Sequence, residues 1–197
     1  MKEIVIMCLG AYVIGSINFA IVFFKITGRA DPRLSFSGNA GTTNVYRQAG
    51  LPWAILIFIL DIGRALAVAA LAMHFFYGAW LAWAGFFLVL GNSFPCFHGF
   101  RGGKGVANYL GFTLLVAPWA ALVSAIVWVL VYYGVKRVPF IASFFMAAVL
   151  ALGNAYPFQW AFIASLGAGA TFALIVFNHR RNLLDFRKGS RTVKQNT

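Results

Sequence analysis

Residues 105–133 read GVANYLGFTLLVAPWAALVSAIVWVLVYY, and this stretch decides how the chain is laid out. As one helix, its 29 residues would be roughly 43 Å long. The hydrocarbon core of a bilayer is about 30 Å thick, so the stretch is too long for one crossing. Pro118 stands near its middle, where a helix is readily broken. We therefore predict two short helices within residues 105–134.

The composition around this stretch is that of an integral membrane protein. Of the 197 residues, 61% are hydrophobic and 10% charged, more apolar surface than one water-facing globule can bury. Apolar runs at 4–24, 53–73, 79–97 and 158–178 are long enough to cross a bilayer, and a weaker run covers 139–156. The first run has no small-residue cleavage signature and is expected to be a retained helix.

The basic residues indicate which loops share a side of the membrane. A net charge of +12 would suggest nucleic acid in a soluble domain, but the basic residues cluster between apolar runs, as they do in cytoplasmic loops, and no nucleic acid is expected. The clusters comprise Lys25, Arg29, Arg33 and Arg47; Arg101 and Lys104; Lys136 and Arg137; and Arg180, Arg181, Arg187, Lys188, Arg191 and Lys194.

Two passes through residues 105–134 place all four clusters on one side, whereas a single pass would divide them. We therefore predict an all-α bundle of seven transmembrane helices, with the N-terminus outside and the C-terminus cytoplasmic. Residues 1–197 are expected to form a single domain that functions as a monomer.

The cysteines and histidines do not indicate metal or redox chemistry. Cys8 and Cys96 fall at different depths of the predicted topology, so no disulfide is expected. Cys96 and His98 lack the spacing of metal ligands, and His74 has no polar residues beside it in the sequence. No metal is expected.

The first chemical loop covers residues 29–47 and combines hydroxyls, amides, glycines and arginines. A helix is predicted to begin after Gly41, capped by Thr42 or Thr43. Its free N–H groups and positive dipole end would face an anion attracted by the arginines. The alternative is an ordinary polar loop with arginines at the membrane surface.

The second loop contains FRGGKG at residues 100–105, between apolar segments. It is not a nucleotide-binding P-loop, because His98 replaces the first glycine and Gly105 follows the lysine where Ser or Thr would be needed. We predict that exposed amides of Gly102 and Gly103, with Arg101 and Lys104, hold a phosphate without a metal. The alternative is a re-entrant turn anchored by basic side chains.

Three further groups of polar residues accompany these loops. His179, in the segment NHRRN at 178–182, could transfer a proton or donate to an oxyanion. Asp61 and Arg64 stand three residues apart on one helix face and are expected to form a structural ion pair that faces the protein interior. Ser143 is a further donor at the depth of the loops.

Together these motifs closely resemble one family, the bacterial acyl-phosphate:glycerol-3-phosphate acyltransferases of the inner membrane. The resemblance covers nearly the whole chain. It rests on GSINF at 15–19, SGNAGTTN at 37–44 with Arg47, LD at 60–61, FP at 94–95, GFRGGKGVA at 99–107, and HRRN at 179–182 with Gly189.

The resemblance implies transfer of a fatty acyl group from acyl phosphate to the 1-hydroxyl of glycerol 3-phosphate, giving lysophosphatidic acid on the cytoplasmic face, without a cofactor. Membrane lipid is the expected surrounding. The resemblance assigns the polar cavity to Ser37, Asn39, Asn44, Arg47, Lys104, Ser143, His179 and Asn182. The loop patterns add Gly38, Thr43, Arg101, Gly102, Gly103 and Arg180 as phosphate-binding residues.

In the mechanism that these residues suggest, the glycerol hydroxyl attacks the acyl phosphate directly. Ser37 and nearby amides polarise the carbonyl, and Lys104 with Arg47 holds phosphates. His179 or a substrate phosphate oxygen removes the proton.

The chain departs from the family pattern inside its motifs. Phe36, Asn92 and Asn108 stand where glycine, histidine and threonine are usual, and the tail carries Asp185 and Arg191 with their charges reversed. Phe36 is expected to narrow the anion site or to change its backbone. Two alternatives stay open: a divergent paralogue with another donor or acceptor, and a transporter or channel for a phosphorylated anion.

Overall fold

The computed structural model describes residues 2–75, 78–135 and 138–186, and these are helical without strands. The helices are α1 (Lys2–Gly15), α2 (Phe19–Ile26), α3 (Thr42–Ala49), α4 (Leu51–Phe75), α5 (Leu81–Ser93), α6 (Val106–Val116), α7 (Pro118–Gly134), α8 (Pro139–Ala155), α9 (Phe162–Asn178) and α10 (Arg180–Phe186). The predicted basic residues Lys136, Arg137, Arg187, Lys188, Arg191 and Lys194, and Gly189 of the tail motif, lie outside the described residues.

The break predicted within residues 105–134 is confirmed. Helix α6 ends at Val116, and α7 begins at Pro118. Ala117 between them is not helical, with φ −146° and ψ 75°, because the ring of a following proline clashes with a helical residue before it.

Four stretches of described residues are long and apolar enough to cross a membrane: Lys2–Ile26, Leu51–Phe75, Leu81–His98 and Pro139–Phe158. Helices α9 and α10, bent by 46° where they meet, make a fifth if they count as one span. Helices α6 and α7 are apolar but shorter. The chain is therefore an all-helical protein with several candidate membrane spans.

The first span is broken where the sequence predicted a continuous run. The Ser16 hydroxyl donates to the Tyr12 carbonyl at 2.9 Å, and the Asn18 side chain accepts from the Ile21 N–H at 3.1 Å, which caps α2. The break leaves the carbonyls of Gly15 and Ile17 outside the helical ladder. Both accept from the Arg64 guanidinium.

Helices α1 and α5 pack closely through glycines. A side chain on Gly91 would lie 2.1 Å from the Tyr12 carbonyl oxygen, and one on Gly15 would lie 2.3 Å from the Leu88 carbonyl oxygen. Small residues of this kind allow helix backbones to approach within a membrane, where van der Waals packing drives association.

The predicted ion pair of α4 is confirmed. Arg64 Nη2 lies 2.8 Å from Asp61 Oδ1, and both residues are buried inside the protein. Burial in the interior satisfies the charges with each other and with polar neighbours, which hydrocarbon cannot do.

Candidate active site

A cavity of about 530 Å³ lies where the polar loops meet. Its wall draws on the first loop, the start of α3, helices α4 and α5, the second loop, helices α6 to α8, and the junction of α9 with α10. The predicted site residues that line it are Ser37, Asn39, Thr43, Arg47, Gly103, Lys104, Ser143, His179 and Asn182.

Five predicted site residues do not line this cavity: Gly38, Asn44, Arg101, Gly102 and Arg180. Arg101 is exposed, and its carbonyl accepts from Arg33 at 2.7 Å. Arg180 is also exposed; it donates to the Phe177 carbonyl and lies 4.0 Å from the centre of the Phe177 ring. Neither arginine is part of the cavity wall.

Asn44 stabilises the first loop through its buried side chain. It is fully buried, and its amide donates to the carbonyls of Pro32 at 2.7 Å, Asn39 at 2.9 Å and Ser35 at 3.3 Å. These bonds fold the loop around one side chain. Asn44 therefore holds Ser37 and Asn39 at the cavity wall and does not reach the cavity itself.

Arg33 ties the first loop to the second. Its guanidinium donates to the carbonyls of His98 and Arg101, each at 2.7 Å, and pairs with Asp31 at 2.5 Å. This hydrogen-bonded pairing with Arg33 holds the pKa of Asp31 below its usual value. The two loops are thus one bonded unit.

Helix α3 begins at Thr42, as predicted, but neither threonine caps it. Gly41 is the N-cap residue, without a side-chain hydrogen bond, because it precedes the first helical residue and has no oxygen to offer. Thr42 and Thr43 line the cavity at a helix end whose first N–H groups have no partner within the helix. The buried Thr42 hydroxyl likewise has no partner among the described residues. An anion in the cavity would meet these donors.

The glycines of the second loop serve a different purpose from the predicted one. The Gly102 N–H donates to the Ser93 carbonyl at 3.1 Å, and the Gly103 N–H donates to the Asn92 carbonyl at 2.9 Å. A side chain on Gly102 would lie 2.1 Å from the Asn92 carbonyl oxygen. Both amides therefore donate to carbonyls at the end of α5, and the glycines permit that close approach.

Lys104, like Arg47, is a basic residue on the cavity wall. It is partly buried, lines the cavity and donates a hydrogen bond to the Asn182 side chain. Burial, together with the positive charge of Arg47, lowers the pKa of Lys104 to about 8. At pH 7 it carries a charge with few competing water contacts.

His179 follows the last residue of α9 and is buried. Its Nδ1 lies 2.8 Å from the Ile175 carbonyl oxygen. A carbonyl only accepts, so Nδ1 carries a proton, and in the neutral ring Nε2 is then an acceptor. Burial and the nearby Lys104 charge lower the pKa of His179 to about 4, which keeps the ring neutral at pH 7.

Ser143 lines the cavity, but its proton is already engaged. Its hydroxyl donates to the Pro139 carbonyl at 3.0 Å and accepts from Trp128 Nε1 at 3.4 Å. Ser143 therefore offers a bound ligand an acceptor and not the donor that the sequence suggested.

Part of the cavity wall is apolar, and the sequence analysis did not identify it. Trp128 stacks on Tyr132 with ring centres 5.0 Å apart, and its Nε1 donates to Ser143. The apolar residues of the lining include Phe58, Leu110, Ala125, Trp128, Val129, Phe140 and Met146. No local pattern distinguishes them from residues that face lipid.

The sequence analysis also did not assign three further polar residues that line the cavity, Asp61, Asn92 and Asn108. A signal was available, because polar side chains within apolar helices usually face a cavity or a functional site. Asn92 and Asn108, noted only as departures from the family pattern, both accept from Arg64.

Phe36 does not narrow the cavity. It has a positive φ of 53°, which accounts for the glycine usual there, and its side chain is 70% exposed. Phe36 is not among the cavity residues. Asp185 of the altered tail is exposed in α10.

The fold and the cavity define an integral membrane protein in which a cationic polar site adjoins an apolar wall. Comparison with known proteins specifies the class further. The family model described as glycerol-3-phosphate acyltransferase matches residues 5–189. The chain belongs to the glycerol-3-phosphate acyltransferase family.

Curated relatives carry the same name. The glycerol-3-phosphate acyltransferase of Pseudomonas fluorescens (strain Pf0-1) is 39% identical over 184 residues, covering 91% of this chain and 93% of the relative. That of Aquifex aeolicus is 36% identical, with 88% and 90% covered.

Solved structures agree with the fold. The crystal structure of PlsY (YgiH), an integral membrane glycerol 3-phosphate acyltransferase, in its glycerol 3-phosphate form matches with a TM-score of 0.86 and 34% identity, covering 94% of this chain and 92% of that one. Its lysophosphatidic acid form matches with a TM-score of 0.83 and 33% identity.

Proposed function

We propose that this protein transfers a fatty acyl group from acyl phosphate to the 1-hydroxyl of glycerol 3-phosphate, giving lysophosphatidic acid for phospholipid synthesis. The observation that carries this proposal is the make-up of the cavity. Cationic, hydroxyl, amide and imidazole groups from three separate loops share it with an apolar wall. Such a site suits two phosphate-bearing reactants, one of which has a long alkyl chain.

The phosphates would bind at Lys104, Arg47 and the start of α3. Lys104 and Arg47 supply charge, and Thr42 and Thr43 supply donors at the positive end of a helix. Asn182 orients the Lys104 ammonium through their hydrogen bond. The alkyl chain would lie along the wall that contains Trp128 and Met146.

The reaction needs no nucleophile from the protein, because an acyl phosphate is a mixed anhydride with a good leaving group. The glycerol oxygen attacks the acyl carbon, an ester bond forms, and the carbon–oxygen bond to phosphate breaks. Ser37 polarises the carbonyl. The neutral Nε2 of His179 accepts from the hydroxyl and orients it, and the departing phosphate takes the proton, since a buried histidine of low pKa holds one poorly.

The position of the cavity supports the seven-segment topology. Four separate segments contribute to the cavity: 37–47, 92–108, 139–146 and 179–182. Between each segment and the next, the chain therefore crosses the bundle and comes back to the same end. With α1 and α2 as the incoming span, seven passages result. With the basic clusters on the cytoplasmic side, the N-terminus lies outside, and the cavity opens at the cytoplasmic face of the bacterial inner membrane.

One chain supplies every group that this mechanism uses. The protein is accordingly proposed to act as a monomer and as one domain over residues 1–197, surrounded by membrane lipid.

The test is an assay of purified protein with palmitoyl phosphate and glycerol 3-phosphate, following lysophosphatidic acid. We expect product with palmitoyl phosphate and none with palmitoyl-CoA. Product only from the thioester would assign another donor. Uptake of glycerol 3-phosphate into proteoliposomes without acyl transfer would overturn the enzyme assignment in favour of a transporter.

A further inference from the structure

Arg64 uses its guanidinium to join four parts of the fold. Nη2 donates to Asp61, to Asn92 at 3.1 Å and to Asn108 at 2.7 Å. Nε also donates to Asn108, at 3.2 Å. Nη1 donates to the carbonyls of Gly15 and Ile17 at the break between α1 and α2.

Asn92 and Asn108 stand on either side of Lys104. Asn92 lies at the end of α5, and its carbonyl accepts from the N–H of Gly103, the residue next to Lys104. A side chain on Gly103 would lie 2.7 Å from the Asn92 amide nitrogen, so the two residues are in close contact. Asn108 lies in the first turn of α6, four residues after Lys104.

We propose that Arg64 is a positioning residue for Lys104, acting through Asn92 and Asn108. A single nitrogen, Nη2, bonds to one residue in each of the two helices that flank the loop, which ties together both ends of the segment that presents the ammonium. Arg64 itself does not line the cavity, and Asp61 balances its charge. This inference rests on the proposed function, which gives Lys104 its task.

Charge alone would not perform this role. A guanidinium presents five N–H donors in a rigid plane, whereas a lysine ammonium is a point charge on a flexible chain. A lysine at position 64 can still pair with Asp61, but it cannot reach both asparagines and both helix-break carbonyls together.

The first experiment compares Arg64→Lys with the wild type in the palmitoyl phosphate assay. We expect kcat/KM to fall at least tenfold, mainly through a higher KM for glycerol 3-phosphate. The matched control is Val68→Ala, one turn further along α4 and fully buried away from the cavity. It should lower the melting temperature but leave KM near the wild-type value.

A double-mutant cycle with Lys104→Ala separates positioning from simple stabilisation. If Arg64 acts through Lys104, Arg64→Lys should cost less than threefold in the Lys104→Ala background. The proposal would be overturned if Arg64→Lys lowered kcat/KM equally in the Lys104→Ala background. It would also be overturned if the Arg64→Lys protein had a lower melting temperature but wild-type kcat/KM.

If Arg64→Lys fails to fold, Asn108→Ala provides a second test of the proposal. The loss of kcat/KM caused by Asn108→Ala should also be smaller in the Lys104→Ala background. If the loss is equally large there, Asn108 contacts substrate directly, and the proposal that Arg64 positions Lys104 through Asn108 is wrong. An inactive wild type would instead refute the proposed function, so the two failures are distinguishable.

Discussion

Lys104 and His179 meet opposite protonation requirements in one cavity. In the proposed mechanism, Lys104 must be charged to hold phosphate, and His179 must be neutral to accept from a hydroxyl. The same burial serves both, because it disfavours the charged form of each side chain. The lysine starts from a higher pKa and stays charged at pH 7, whereas the histidine does not.

Lys104 should set an alkaline limit on substrate binding. Its charge is present below a pKa of about 8 and is lost as the pH rises through that value. The phosphate of glycerol 3-phosphate, with a second pKa of about 6, is already a dianion there. We expect KM for glycerol 3-phosphate to rise above pH 8, measured by initial rates from pH 6 to 9.5.

Substitution of Lys104 supplies the control. Lys104→Ala should lower kcat/KM about 10- to 100-fold, the value of a charge-assisted hydrogen bond, and should abolish the alkaline rise in KM. Unchanged affinity of this variant for both substrates would contradict a phosphate-binding role.

His179→Ala should lower kcat by about 10²-fold or more, because the hydroxyl loses its acceptor. If histidine only orients the hydroxyl, kcat of the wild type between pH 5.5 and 7.5 should show no titration beyond that of the substrate phosphate, which the His179→Ala variant shares. Assays of both proteins across that range check this. Equal turnover numbers throughout would exclude a catalytic part for His179.

Among the elements, helices α1 and α5 are in a contact that leaves no room for added volume. Gly91 lies against the α1 backbone and immediately precedes Asn92. Asn92 in turn holds both the second loop and Arg64. A change in the packing of α1 against α5 at Gly91 should therefore also move Asn92 at the cavity.

Gly91→Ala should push α1 and α5 apart and destabilise the fold by about 1–3 kcal/mol. Gly63→Ala is the matched control, since Gly63 is exposed on α4 and has no neighbouring atom within 4 Å of an added side chain. Thermal unfolding in detergent compares them. A Gly91→Ala protein as stable as Gly63→Ala would contradict the close packing.

At the scale of the whole molecule, the two cysteines report the orientation. Cys96 is exposed in the second loop near the cavity, and Cys8 is buried in α1. A membrane-impermeant maleimide should leave Cys96 unmodified in intact spheroplasts and modify it after permeabilisation.

Cys96→Ser should remove that labelling. Modification of Cys96 in intact spheroplasts would place the second loop outside and reverse the proposed topology.

Much of this architecture was predictable because membranes impose simple local rules. Apolar length locates spans, and Pro118 breaks a run too long for one crossing. Polar residues concentrated at 29–47, 91–105 and 178–182 predicted three loops with a common task. Nine of the proposed site residues do line one cavity.

The sequence by itself determined the membrane class, the broken segment at Pro118, the family and the loops that carry the chemistry, because each depends on composition or short-range pattern. Only the tertiary structure decided which polar atoms face a ligand. The amides of Gly102 and Gly103 are used by α5, Asn44 turns inward, and Arg64 bonds to residues 28 and 44 positions away. These outcomes depend on partners that helix packing brings together, and no local pattern encodes that proximity.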